Sequence, residues 1–222
     1  VRADRRRPAG RGAGGRGGQA VSSLTKVHVM RHGEVHNPEQ VLYGRLPGYY
    51  LSDRGQAQAK SVAEALADSD IVAIIASPLE RAQQTAAPIA ERHGLSIATD
   101  PDLIESLNIF EGKKVSPGDG ALRDPRNWKY LVNPLRPSWG EPYVEVAARM
   151  RGAVERARIL GAGHEVVCVS HQLPVEILRR AMIGKRLPHD PRKRMCGLAS
   201  LNTFVFDGDE MVDWQYREPA EQ

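Results

Sequence analysis

The sequence predicts an α/β layered domain, and three observations carry that reading. Three short apolar runs, at 27–30, 71–76 and 166–169, have the length and the β-branched content of buried strands. Segments with apolar stripes at helical spacing lie between them. The chain has 222 residues, 41% hydrophobic and 26% charged, which is enough for one sizeable core and ordinary for a globular protein. Alternating strands and helices of this kind stack as sheet and helix layers.

The elements follow in chain order. Residues 1–23 are Arg, Gly and Ala with almost nothing to bury, so they are expected to be a disordered tail, with the domain over 24–222. Val27 to Met30 reads as a strand that stops at Arg31-His32-Gly33. Asp53 to Ala67 follows a cap-like Ser52, and Val62, Ala63 and Leu66 form one apolar helix stripe. Ile71 to Ala76 is the second strand. Ser77 is expected to cap the next helix, with Pro78 at its first position and Gly94 as its stop. Residues 106–140, rich in Pro, Gly and Trp and without periodicity, are expected to form a lid or insertion. Helices are predicted at 141–160 and 173–182, either side of a buried strand over 166–169. Two strands at 201–206 and 211–216, joined across Asp207-Gly208, suggest a terminal hairpin.

Charge and composition narrow the function classes. The net charge of +4 and pI near 9.2 suggest nucleic acid at first sight, but the tail alone carries +5 through six arginines and one acid. The remaining −1 argues against nucleic acid as a partner and leaves a basic-tailed binding module as a minor alternative. No run approaches the roughly 20 apolar residues of a membrane span, so no membrane partner is expected. Two cysteines, Cys168 and Cys196, are too few for a disulfide scaffold, and the expected setting is the cytoplasm.

Chemistry concentrates at strand ends, where open α/β sheets place their sites. The first strand ends in Arg31-His32-Gly33-Glu34, the second in Ser77-Pro78-Leu79-Glu80-Arg81, the third in Ser170-His171. Two histidines and two arginines, with helix N-termini beside them, have the parts to hold a phosphoryl group without a metal. The spacing of His28, His32 and His36 would make a metal face on a helix, but the alternation around His28 and Gly33 argues for strand and turn. No metal and no cofactor are expected.

These segments, with Leu51-Ser52-Asp53-Arg54-Gly55, the run from Ser77 to Ala86, Leu103-Ile104-Glu105 and Val169-Ser170-His171, resemble the histidine phosphatase superfamily, phosphoglycerate-mutase-like branch. The resemblance runs from about Lys26 to Tyr216. It implies a three-layer α/β/α sandwich with a mostly parallel central sheet, phosphoglycerate-mutase-like. It also implies roles: His32 as the nucleophile that becomes phosphohistidine, Glu105 as general acid and base, and Arg31, Arg81 and His171 around the phosphoryl oxygens. Neutral imidazole suits the first role, a raised carboxyl pKa the second, and the planar guanidinium fork the third.

The sequence departs from the family pattern in places. Val35 replaces a small hydroxyl residue, and Asn37, a phosphate neighbour by resemblance, stands one place off. Ile109 occupies a usual glycine, and Glu111-Gly112 come one residue early, which makes Glu111 the alternative acid. Gln172 replaces the glycine after the second histidine. Arg45, in the loop Tyr43 to Gly48, is a candidate substrate ligand. Trp128, Trp139 and Tyr143 are candidates for the pocket wall or for lid packing. The expected activity is hydrolysis of a phosphomonoester, a small phosphorylated metabolite. A mutase is the alternative within the family, disfavoured because residues 106–140 lack the consecutive Arg-Arg pair that grips a carboxylated substrate in such enzymes. The oligomeric state stays open, a homodimer included.

Overall fold

The computed structural model describes residues 24–114 and 140–221. The expected tail at 1–23, and Trp128 and Trp139 with most of the expected insertion, lie outside the described residues. A six-stranded sheet organises the fold. Its strands are β1 (Thr25–Arg31), β2 (Ile71–Ala76), β3 (Ile97–Thr99), β4 (Glu165–Ser170), β5 (Leu201–Asp207) and β6 (Glu210–Arg217). Across the sheet the order is β3-β2-β4-β1-β5-β6. The first four run parallel to one another, whereas β5 is antiparallel to both β1 and β6.

Among the described residues four helices cover the two faces, in the three-layer α/β/α arrangement that the resemblance implies. On one face Met30, Val167 and Val169 pack with Val62 and Ala63 of α1 (Asp53–Ala65), with Leu66 just after it, and with Ala82 and Ile89 of α2 (Glu80–His93). On the other, Val27, Val29, Val166 and Cys168 pack with Met150 and Val154 of α3 (Tyr143–Leu160) and with Ile177 and Leu178 of α4 (Gln172–Met182). Strand β4 is covered on both faces, which is why residues 166–169 read as an unbroken apolar run. Alternate residues of β1 serve opposite cores. His28, on the Met30 side, is buried and bonds Thr203 Oγ1 at 2.8 Å and Glu165 Oε2 at 2.7 Å. His28, His32 and the exposed His36 thus occupy three different environments.

The start of α2 differs from expectation. Ser77 is not its cap and Pro78 is not its first residue: the helix begins at Glu80, after Leu79, with no side-chain cap. The physical reason is that Ser77 still belongs to the sheet, its N–H donating to Val169 O at 2.9 Å. The expected stop holds, with Gly94 left-handed at φ 66°. Strand β3 went unpredicted because three residues at a sheet edge, mostly exposed, leave no readable periodicity.

Candidate active site

The parallel strands deliver their carboxyl ends to one cleft. His32 follows β1 directly, its N–H donating to Ser170 O of β4 at 3.1 Å. His171 follows β4 and opens α4 as its N-cap residue. Ser77 follows β2, and Arg81 lies in the first turn of α2. Glu105 comes after the short 3-10 turn Pro101–Leu103, which Ser170 ties to β4 by an Oγ bond to Leu103 O of 2.7 Å. A cavity of about 290 Å³ opens here, with Arg31, His32, Tyr43 and Glu105 in its wall. Arg81 and His171 are not in the wall but adjoin it, Arg81 against Tyr43 and His171 with its ring centre 5.2 Å from that of His32.

Glycines at 33 and 55 explain how the segment after His32 turns so closely against α1. A Cβ on Gly55 would sit 2.0 Å from Glu34 O, and one on Gly33 would sit 2.6 Å from Gly55 O. Ser52 caps α1 by accepting from Gly55 N and donates to Glu34 Oε1 at 2.8 Å. Gly33 N donates to Thr85 Oγ1 at 3.1 Å, which links this turn to α2. The turn holding the histidine is thereby fixed from two helices.

The electrostatics assign distinct states to the buried groups. Nδ1 of His32 lies 2.7 Å from Gly33 O; a carbonyl can only accept, so Nδ1 carries the proton and Nε2 keeps its lone pair. Burial, then the positive charges of Arg81 and Arg31, lower the His32 pKa to about 3 against the opposing bond to Gly33 O, so the ring is neutral near pH 7. His171 is driven well below its ordinary value, first by burial and then by His32 and nearby arginines. Its Nε2 lies 2.8 Å from Ser77 Oγ. The Ser77 hydroxyl hydrogen has no other acceptor among the described residues, so the arrangement that satisfies it donates to Nε2 and leaves the His171 proton on Nδ1. Burial raises the Glu105 pKa, against the opposing effects of the Ser106 N–H, Arg81 and Arg31.

Several buried donors share this site without a protein acceptor among the described residues: Arg31 Nε, Arg81 Nε and Nη1, and His171 Nδ1. Left unsatisfied, each would cost about 1–3 kcal/mol. Unsatisfied donors gathered from three strand ends fit an anion with several oxygens. The arginines are held rigidly. Arg31 Nη1 donates to Cys196 O at 3.0 Å, and Arg81 Nη2 donates to Gly44 O at 2.5 Å. The Arg81 guanidinium carbon stands 4.8 Å from the centre of the Tyr43 ring.

Three other sequence candidates have different neighbours. Both amide atoms of Asn37 bond the backbone of Val41, at 2.9 and 3.2 Å, and Asn37 is not in the cavity wall. Arg45 also lies outside that wall: its Nε donates to Glu105 O at 2.6 Å and its Nη2 to Glu141 Oε2 at 3.0 Å. Glu111, the alternative acid, accepts from Arg45 N at 3.0 Å and is likewise outside the wall. The sequence left other parts of the site unassigned. Arg149 donates to Asp102 O at 2.5 Å and Ile104 O at 2.8 Å, and with Arg45 it braces the segment bearing Glu105. Tyr43, Ser77 and Arg194 also went unassigned; of these only Ser77, beside a strand end, carried any signal of its place.

The family model for the histidine phosphatase superfamily (branch 1) matches residues 27–216. The chain belongs to this superfamily. An uncharacterized protein of Mycobacterium tuberculosis is 67% identical to this histidine phosphatase superfamily member over 196 residues, covering 88% of this chain and 97% of the relative. A Yersinia enterocolitica protein named as a probable phosphoglycerate mutase GpmB is 32% identical over 188 residues, covering 81% and 85%. Among solved structures, a mycobacterial glucosyl-3-phosphoglycerate phosphatase superposes with a TM-score of 0.68 at 25% identity, covering 87% of this chain and 97% of that one. YhfR of Bacillus stearothermophilus gives a TM-score of 0.71 at 25% identity, covering 85% and 94%. The site and the family together identify an enzyme that handles phosphoryl groups.

Proposed function

We propose that the protein hydrolyses a phosphomonoester through a phosphohistidine formed on His32. One observation carries this reading: a neutral His32, tied by Nδ1 to Gly33 O, shares its cavity wall with Arg31 and Glu105, with the His171 ring centre 5.2 Å from its own and the Arg81 charge acting on it, and these neighbours carry the unsatisfied donors. In the first step the Nε2 lone pair attacks phosphorus and the bond to the leaving oxygen breaks. The Glu105 carboxyl proton passes to that oxygen. In the second step Glu105, now a carboxylate, takes a proton from water as the water oxygen attacks phosphorus and the P–N bond breaks. Arg31, Arg81 and His171 Nδ1 stabilise charge on the phosphoryl oxygens throughout. The substrate is a small phosphorylated metabolite, and the two free, buried thiols support a cytoplasmic setting.

A mutase reading draws support from the 32% identical relative named for that activity. Hydrolysis is favoured by the solved phosphatase of similar fold and by the missing Arg-Arg pair in 106–140. The test follows free phosphate from an aryl phosphate alongside interconversion of phosphoglycerates, with His32→Ala as the blank. The wild type should release phosphate at least about 10³-fold faster than the variant. Equal rates would refute hydrolysis through His32, and isomer exchange without net phosphate release would identify a mutase.

A further inference from the structure

The cavity extends beyond the phosphoryl end. Away from Arg31, His32 and Glu105 its wall includes Leu107, Tyr143, Leu173 and Arg194. Arg194 belongs to the segment before β5, outside the range 106–140. It is partly buried and has no ion pair among the described residues.

Two neutral acceptors fix its orientation. Its Nε donates to His189 Nε2 at 3.0 Å, and its Nη1 donates to Gln172 Oε1 at 3.2 Å. His189 is itself oriented, since Nδ1 lies 2.8 Å from Leu187 O and must be the protonated nitrogen. Neutral partners hold a guanidinium without cancelling its charge. Gln172, which stands where the family has glycine, is one of them. Nη2 has no acceptor among the described residues. The other carboxylate in the wall, Glu141, has both oxygens engaged by Arg149 and Arg45. Arg194 is close enough to Glu105 to oppose the rise in its pKa, but beyond the phosphoryl end the wall offers it no free carboxylate, and it stands beside apolar surface.

We propose that Arg194 reads a second acidic group on the substrate, so that the preferred substrate is a phosphomonoester whose leaving group carries a carboxylate or similar anion. This inference rests on the phosphatase reading for its catalytic readout but not for its binding readout. Arg194 makes a charge-assisted bond to that anion while Leu107, Tyr143 and Leu173 cover the carbon frame between the two charges. Such a contact selects by charge: an uncharged isostere leaves the guanidinium without its partner.

The test compares 4-carboxyphenyl phosphate with 4-carbamoylphenyl phosphate, which is nearly the same shape without the charge. In parallel, calorimetry measures binding of the corresponding benzylphosphonates, which cannot be hydrolysed. For the full-length wild type, kcat/KM and affinity should favour the carboxylate by about tenfold or more. Arg194→Gln should bring both ratios close to one, and Arg194→Lys should restore part of the preference. Matched thermal unfolding of the variants guards against a folding defect. Hydrolysis without charge preference, or Arg194→Gln lowering both compounds equally, would overturn this inference and leave the phosphatase reading intact. Selective phosphonate binding without hydrolysis would overturn the phosphatase reading and uphold the role of Arg194. Absence of selective binding together with absence of hydrolysis would overturn both.

Discussion

At the scale of single residues, the cleft sets two titratable groups against each other. Burial and two arginines keep His32 neutral, while burial keeps Glu105 protonated further up the pH scale than a free carboxyl. A nucleophile needs the first state and a general acid the second, so both are present together over the pH range between the two pKa values. Rates limited by phosphorylation should fall as pH rises through the Glu105 pKa, because the carboxylate cannot protonate the leaving oxygen. Glu105→Gln should flatten that alkaline limb. The same variant should lose about 10²- to 10⁴-fold in kcat/KM with an alkyl phosphate, whose alkoxide needs a proton. With p-nitrophenyl phosphate the loss should be far smaller, because nitrophenolate departs unprotonated. Equal losses on the two substrates, measured as kcat/KM across pH, would remove Glu105 from the acid role.

At the scale of elements, the segment after β1 is positioned by the close approach of Gly33 and Gly55 to neighbouring backbone. Gly55→Ala places a Cβ 2.0 Å from Glu34 O, and backbone on both sides must move. The expected cost is about 1–3 kcal/mol. At about 2–4 °C per kcal/mol for a chain of this size, Tm should drop by several degrees, with kcat falling as His32 shifts. Thermal unfolding and steady-state rates check both. Elements of this kind were largely legible in the sequence. The apolar run at 71–76 matches β2 residue for residue, and Gly94 ends α2 as its left-handed conformation requires. Ser77 misled because Ser-Pro at a strand end resembles a helix cap, whereas its hydroxyl faces His171. The Arg31, His32, Arg81, His171 and Glu105 neighbourhood could be anticipated because each lies beside a strand or turn end. Arg149 and Glu141 could not, nor could the bracing role of Arg45: their bonds, some to the Glu141 carboxylate and some to backbone carbonyls, join residues 8 to 96 positions apart and leave no pattern in sequence.

At the scale of the whole molecule, several buried groups make stability depend on acid in one direction. His32, with a folded pKa of about 3, and His171, also lowered, stay neutral in the fold below pH 6.5, whereas the unfolded chain protonates them. Glu165, lowered to about 2 chiefly by its bond to His28, and Glu176, which burial pushes up but Arg179 and Arg180 together bring below its ordinary value, remain ionised where the unfolded chain takes up protons near pH 4.5. In each case the unfolded state binds more protons, so stability rises with pH through these windows and is lost as pH falls. Glu105 acts oppositely, favouring the fold at low pH and losing that contribution as pH rises through its raised pKa. Denaturant titrations between about pH 7 and pH 4 should show stability falling with acid. His32→Ala should reduce the slope by about one proton near pH 5; an unchanged slope would show that His32 titrates normally in the fold.

Strand β4 sits between β2 and β1, yet it comes from residues 165–170, long after both neighbours have been synthesised. Until it arrives, the facing edges of β1 and β2 have no pairing partner, and neither can close on the other without excluding it. A nascent chain emerging from the ribosome therefore carries two open strand edges for roughly a hundred residues of elongation, which is several seconds or more at common translation rates. The late strand also brings His171, so truncated translation products lacking it keep Arg31 and Arg81 without His171 and leave β1 with no strand partner, since β5 is made later still. Such products are natural clients for chaperones and proteases, and the same delayed insertion makes non-local pairing a slow part of folding.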